Sequence, residues 1–219
     1  MSMSNELIIR IKEDGSISVE EHKDGIMSYK AIAPDSLLDC INKSILRGSV
    51  RSGLLPKNCL SFTANDNGSK NIFILHPEDK TDITFLNAEY KDFPLPRLVF
   101  GFSISNEGRI SGCRLGVIEN SSMIKPDTKM YHWPLSNVSY THICVGNNTL
   151  PKCTSPHTLG SIPYLILAMH NNLDHYSVTS NRMRLEMRDL LELLKDKQQS
   201  YYYENILVPS GAVLGDFIV

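Results

Sequence analysis

Tyr131-His132-Trp133-Pro134-Leu135-Ser136-Asn137-Val138-Ser139-Tyr140-Thr141-His142-Ile143-Cys144-Val145-Gly146-Asn147-Asn148 is the stretch on which the reading of this chain turns. An asparagine stands seven residues before a cysteine, inside a longer segment, 120–157, that is rich in Ser, Asn, Pro, Lys and Thr. A long irregular stretch in a compact chain is usually either a functional loop or a disordered one. This one holds the only Trp, two of the five Cys and three of the seven His. Disordered linkers are poor in aromatics, so a functional loop is expected. A cysteine on such a loop can be exposed and reactive, whereas one inside a strand usually is not.

Upstream, Arg97–Ile104 is apolar and β-prone, Asn106-Glu107-Gly108 makes a turn, and Arg109–Ile118 pairs back as a hairpin. Strands are expected at Glu6–Ile11, Ser16–Glu20, Gly25–Ile32, Cys59–Ala64, Asn71–Leu75 and Ile83–Leu86. Leu37, Leu38, Ile41 and Ile45 recur at helical spacing, with Asp35 as the expected cap and Gly48 as the stop. Phe93-Pro94-Leu95-Pro96 is a breaker. It suggests a division into an N-terminal β-rich region with one helix (1–90) and a core (91–219).

Downstream, two helices are expected. The first has Ser161 as cap and the stripe Ile162, Leu165, Ile166 and Met169, and ends at Asn171-Asn172. The second has Ser180 as cap and the stripe Met183, Met187, Leu190, Leu191 and Leu194. The final segment stays apolar to Val219 and is expected to dock rather than hang free.

The composition narrows the function classes. In 219 residues, 22 Lys+Arg balance 24 Asp+Glu, and 42% of residues are hydrophobic. A net charge of −2 argues against sequence-blind nucleic-acid binding, which needs a basic surface. No apolar run reaches the roughly 18 residues of a membrane helix, and the first residues lack the pattern of a signal peptide. The expected location is therefore the cytoplasm, with no membrane or nucleic-acid partner. Five irregularly spaced cysteines do not suggest a disulfide framework. No phosphate-loop or dinucleotide fingerprint occurs, and neither a cofactor nor a resident metal is expected.

The order of hairpin, Pro-rich flap, Asn-Val, Ile-Cys and helices resembles the ubiquitin-conjugating-enzyme (UBC) fold, whose His-Pro-Asn motif precedes the catalytic Cys by about eight residues. The closer resemblance is to the bacterial UBC-like family D, PRTRC system protein B. The residues that carry it are Pro134-Leu135-Ser136-Asn137-Val138, Cys144-Val145-Gly146-Asn147 and the tail from Asn205 to Asp216. It is best over about residues 93–219. It implies an α+β, UBC-like fold: an antiparallel β-meander with a flap and a catalytic-Cys loop, followed by C-terminal helices.

The resemblance further implies that Cys144 carries a ubiquitin-like protein as a thioester, received from a ThiF-type activating enzyme and passed to an amine of an unidentified protein substrate. Asn137 is then the candidate oxyanion donor or flap holder. His132, His142 and Asn147 are candidate supporting residues. The family's His-Pro is replaced by Leu135 and Ser136, and the loop is one residue shorter. An alternative is therefore an inactive UBC-like scaffold that binds the activating enzyme or the modifier. A third reading joins His142, Cys144, Cys153 and His157 as zinc ligands. The bland readings are a buried thiol for Cys144, a turn residue for Asn137 and loop histidines for His132 and His142.

Overall fold

A computed structural model of the chain describes residues 6–23, 26–45, 51–77 and 79–219. Its contacts divide it into two compact units, Met1–Arg51 and Ser52–Val219.

In the first unit, β1 (Glu6–Ile11), β2 (Ile17–Lys23) and β3 (Ile26–Ile32) form an antiparallel meander. Gly15, at φ 77°, closes the β1–β2 turn, where a side chain would be strained. The expected strand at Gly25–Ile32 begins at Ile26; Gly25 lies outside the described residues. Helix α1 (Pro34–Ile45) starts two residues earlier than a cap at Asp35 implies. Proline suits a first helical position, where its missing N–H costs nothing. Asp35 therefore sits in the first turn rather than at the cap. The expected stop, Gly48, lies outside the described residues.

The second unit is built on an antiparallel sheet. Its main path runs through β4 (Cys59–Ala64), β5 (Lys70–Leu75), β8 (Leu98–Ile104), β9 (Ile110–Ile118), β12 (His142–Ile143) and β11 (Val138–Ser139). Strand β10 (Lys129–Tyr131) pairs with β9 and with β13 (Pro209–Val213), while β6 (Lys80–Phe85) and β7 (Ala88–Pro94) form a separate hairpin. The 90/91 boundary does not coincide with this division. Leu75 pairs with Val99 and Lys70 with Ile104, so one sheet spans the Pro-rich breaker. Pro94 is tolerated as the last residue of β7, where its missing N–H is harmless.

Both faces of β8 are buried, which is why it reads as an apolar run, LVFGFSI. Phe100, Phe102, Leu115 and Val117 face the larger core, shared with Ile162 and Ile166 of α2 (Ile162–Leu167) and Leu190 and Leu194 of α3 (Met187–Leu194). Phe73, Val99 and Ile118 face a second core, with Leu214 and Phe217 of a short C-terminal helix, Leu214–Phe217. The tail thus docks as expected. Tyr202, Ile206 and Leu207 are fully buried, and the Tyr202 hydroxyl donates to the Pro94 carbonyl at 2.9 Å.

Both expected helices are shorter than their patterns. Helix α2 ends at Leu167, and Leu165 is 47% exposed, so its buried face is Ile162, Pro163, Ile166 and Leu167. The Ser161 hydroxyl donates to the Thr158 carbonyl instead of capping. Helix α3 begins at Met187, not after Ser180. The buried Asn181 accounts for the delay: its amide accepts from the Leu185 N–H at 3.0 Å and donates to the Leu185 carbonyl at 3.1 Å. Those bonds close a turn that competes with helix, and Arg184 takes a positive φ of 51° within it.

Candidate functional site

The seven-residue spacing of Asn137 and Cys144 has a geometric meaning. Val138 pairs with Ile143 and Ser139 with His142, so β11 and β12 make a hairpin with a two-residue loop, Tyr140-Thr141. Extending that register by one rung sets Asn137 opposite Cys144. The bond expected there is made: the Cys144 N–H donates to the Asn137 carbonyl at 2.8 Å. The hairpin is anchored to β9 by the Leu115 N–H, which donates to the Thr141 carbonyl at 2.7 Å.

Asn137 has a φ of 62°, a left-handed conformation that asparagine tolerates better than most residues. Its N–H donates to the Asp174 carbonyl at 2.9 Å, and its side-chain amide donates to the His170 carbonyl at 3.1 Å. An amide nitrogen carries two hydrogens, so one remains for another acceptor. Cys144 is exposed. The two residues line one narrow cleft of about 30 Å³ with Ile83, Leu115, Trp133 and Met169, room for about one water molecule.

The flap before the hairpin is tied down at several points. Trp133 Nε1 donates to the Ser136 carbonyl at 3.1 Å, and the Ser180 hydroxyl donates to the Pro134 carbonyl at 3.2 Å. The Ser136 hydroxyl donates to Asn171 Oδ1 at 3.1 Å, and the Asn171 N–H donates to the Thr84 carbonyl at 2.8 Å. The 170–174 segment therefore braces the flap, the hairpin base and β6 together. Sequence reasoning missed this role. Its only trace was the Asn171-Asn172 pair, read as a helix end.

The supporting candidates separate. His132 is exposed; its N–H donates to the Val208 carbonyl, and it lines a different cleft, with Ser139, Tyr140 and His175. His142 is exposed, pairs with Ser139 and Arg114, and is not among the residues lining the Cys144 cleft. Asn147 is exposed in the turn after Cys144, where the Val145 carbonyl accepts both the N–H and the side-chain amide of Asn148.

The other thiols of this unit differ from Cys144. Cys113 is buried, and burial pushes its thiol up to about 11. Cys59 is half-buried, and burial raises its thiol too. Cys153 is also half-buried, with its sulfur against the Ser155 carbonyl at 3.4 Å. Among the described residues no three His, Cys, Asp or Glu side chains gather as a metal-binding group, so His142, Cys144, Cys153 and His157 do not form the zinc site considered above.

An exposed thiol and a fixed amide donor that line one cleft are groups that acyl transfer can use. Thiolates are good nucleophiles and good leaving groups, and an amide can stabilise the oxyanion formed on attack. No helix among the described residues is long and apolar enough to cross a membrane, which says nothing of β-barrel strands.

Comparison with curated proteins and with solved structures gave no match. The mixed α/β architecture, with mostly antiparallel sheets and few helices, is compatible with an E2-like protein. The family model described as prokaryotic E2 family D matches residues 37–210, most of the chain and all of the Asn137–Cys144 hairpin, and the chain belongs to that family.

Proposed function

We propose that this E2-like chain carries a ubiquitin-like modifier as a thioester on Cys144, taken from a ThiF-type activating enzyme and given to an amine of a protein acceptor. The observation that carries this reading is the Asn137–Cys144 rung, an exposed thiol hydrogen-bonded through its own backbone to the residue whose amide shares its cleft. In the loading step the Cys144 thiolate attacks the modifier's C-terminal carbonyl carbon. A new C–S bond forms, and the activating enzyme's thiolate leaves. In the discharge step the acceptor's neutral amine attacks that carbon, a C–N bond forms, and the Cys144 thiolate leaves as the amine loses a proton. Each tetrahedral intermediate bears an oxyanion, to which the second Asn137 amide hydrogen would donate. Reduced thiols suit the cytoplasm, the compartment we assign.

The test is incubation with a ThiF-type activating enzyme, its ubiquitin-like protein and ATP, followed by a non-reducing gel. A thiol-sensitive adduct that disappears in Cys144→Ala is expected. An adduct that survives this substitution would remove the reading.

A second reading, a silent scaffold that binds the activating enzyme or the modifier, is favoured by one observation: neither His132 nor His142 lines the cleft. It requires Cys144 to react with iodoacetamide no faster than a thiol in the unfolded chain, with partner binding intact.

A further inference from the structure

Along β9, Leu115 belongs to the Cys144 cleft, whereas its neighbours Arg114 and Gly116 line a separate pocket of about 180 Å³. Met130, His132, Tyr140, Ala212, Asp216 and Phe217 are among the residues that complete that lining. At roughly 30 Å³ per water, the space equals about six waters.

Two glycines shape it. Gly101 pairs with Arg114, and a Cβ there would come within 2.5 Å of the Phe73 ring. A Cβ on Gly116 would meet Met130 at 2.4 Å and the Phe217 ring at 3.3 Å. The bare backbone therefore lets both rings close in. The Arg114 guanidinium lies 5.7 Å from the Phe73 centroid and 4.5 Å from that of Phe217. Aromatic faces attract the cation but accept none of its in-plane N–H bonds. Its Nε is sealed from solvent and has no hydrogen-bond partner. Arg114 makes no ion pair among the described residues, although the oppositely charged Asp216 lines the same pocket.

We infer that this pocket binds a small zwitterion with an apolar body, a free aliphatic α-amino acid. The ligand's carboxylate pairs with the Arg114 fork, a geometry guanidinium favours. Its ammonium lies toward Asp216, and its side chain packs on Met130 and Phe217. A guanidinium without an ion-pair partner among the described residues and an exposed carboxylate, Asp216, whose Oδ2 accepts from the Val213 N–H at 3.5 Å, line one largely apolar pocket, and such a ligand would pair with both charges.

The experiment titrates the full chain with L-leucine, with 4-methylpentanoate (leucine without its amine) and with 3-methylbutylamine (leucine without its carboxylate), reading the backbone amide NMR shifts of Thr141 and Ala212. Saturable shifts with leucine, at least tenfold weaker with either truncated compound, are expected. Arg114→Gln should abolish them, and Asp216→Asn should weaken leucine while leaving 4-methylpentanoate unchanged. Ala212→Phe fills the pocket while keeping Arg114 in the sequence and should also abolish binding, which covers an Arg114 variant that fails to fold. Cys144→Ala should bind as the parent does, which separates this site from acyl transfer. No saturable leucine shift, equal binding of leucine and 4-methylpentanoate, or full binding in a folded Arg114→Gln would overturn the assignment.

Discussion

Substituting Asn137 tests the geometry of the hairpin base, because two separable contributions meet there. One is the side-chain bond to the His170 carbonyl, exposed and 3.1 Å long, worth about 1 kcal/mol net at most. The other is the left-handed backbone, φ 62°, which costs an ordinary L-residue about 1–2 kcal/mol and which asparagine in part escapes. Asn137→Ala loses the bond and takes on more of the backbone cost, about 2 kcal/mol together. Asn137→Gly loses the bond but carries no left-handed cost, so about 1 kcal/mol should go. The backbone bonds to Asp174 and Cys144 survive both changes. At roughly 2–4 °C per kcal/mol for a chain of this size, the alanine variant should melt about 4–8 °C below the parent and the glycine variant about half as far. The only tryptophan, Trp133, donates to the Ser136 carbonyl beside the substituted residue, so its fluorescence reports unfolding where the change is made. Equal melting temperatures for the two variants would refute the backbone reasoning. A parent-like alanine variant would refute both contributions.

Three further outcomes follow from packing and burial. Tyr202→Phe leaves the buried Pro94 carbonyl without its donor, so the urea midpoint should fall by the equivalent of about 1–2 kcal/mol. Leu190→Ala, in the core, should cost about 2–5 kcal/mol, whereas Leu165→Ala, on the exposed side of α2, should stay within about 0.5 kcal/mol of the parent; similar losses at both positions would contradict the burial described. The Cys113 thiol is raised from 9.0 to about 11 by burial, so the folded state keeps its proton where the unfolded state releases it. Its contribution to stability is therefore full below pH 9 and declines between pH 9 and about 11. Cys113→Val should flatten that part of the denaturation midpoint's pH dependence, and an unchanged slope would argue that the thiol is not buried.

The parts of the molecule legible in the sequence were those fixed by local chemistry. Asn106-Glu107-Gly108 announced the β8–β9 hairpin, and Gly108 does take the positive φ of 81° that the turn requires. The apolar tail announced its own docking. Asn137 and Cys144 were legible as a pair because a two-residue hairpin loop makes a seven-residue separation a cross-strand rung. What escaped was decided at a distance. The Pro-rich breaker looked like a boundary, but pairing of β5 with β8 carries one sheet across it. Helical spacing from Met183 onward was real for the side chains of α3, yet the bonds of Asn181 to Leu185 took the backbone of the first turn. The bracing by Asn171 joins Ser136 to Thr84 across the chain, and no sequence period encodes such a contact. His132 and His142 were close to Cys144 in number, and sequence distance alone could not tell that both lie outside its cleft.

The most direct measurement is peptide mapping, by mass spectrometry under non-reducing conditions, of the adduct formed with activating enzyme, ubiquitin-like protein and ATP. The account predicts a modifier C-terminus joined to the peptide containing Cys144, at one site per chain, and released by thiol. A thiol-sensitive linkage mapping instead to Cys40, Cys59, Cys113 or Cys153 would contradict it.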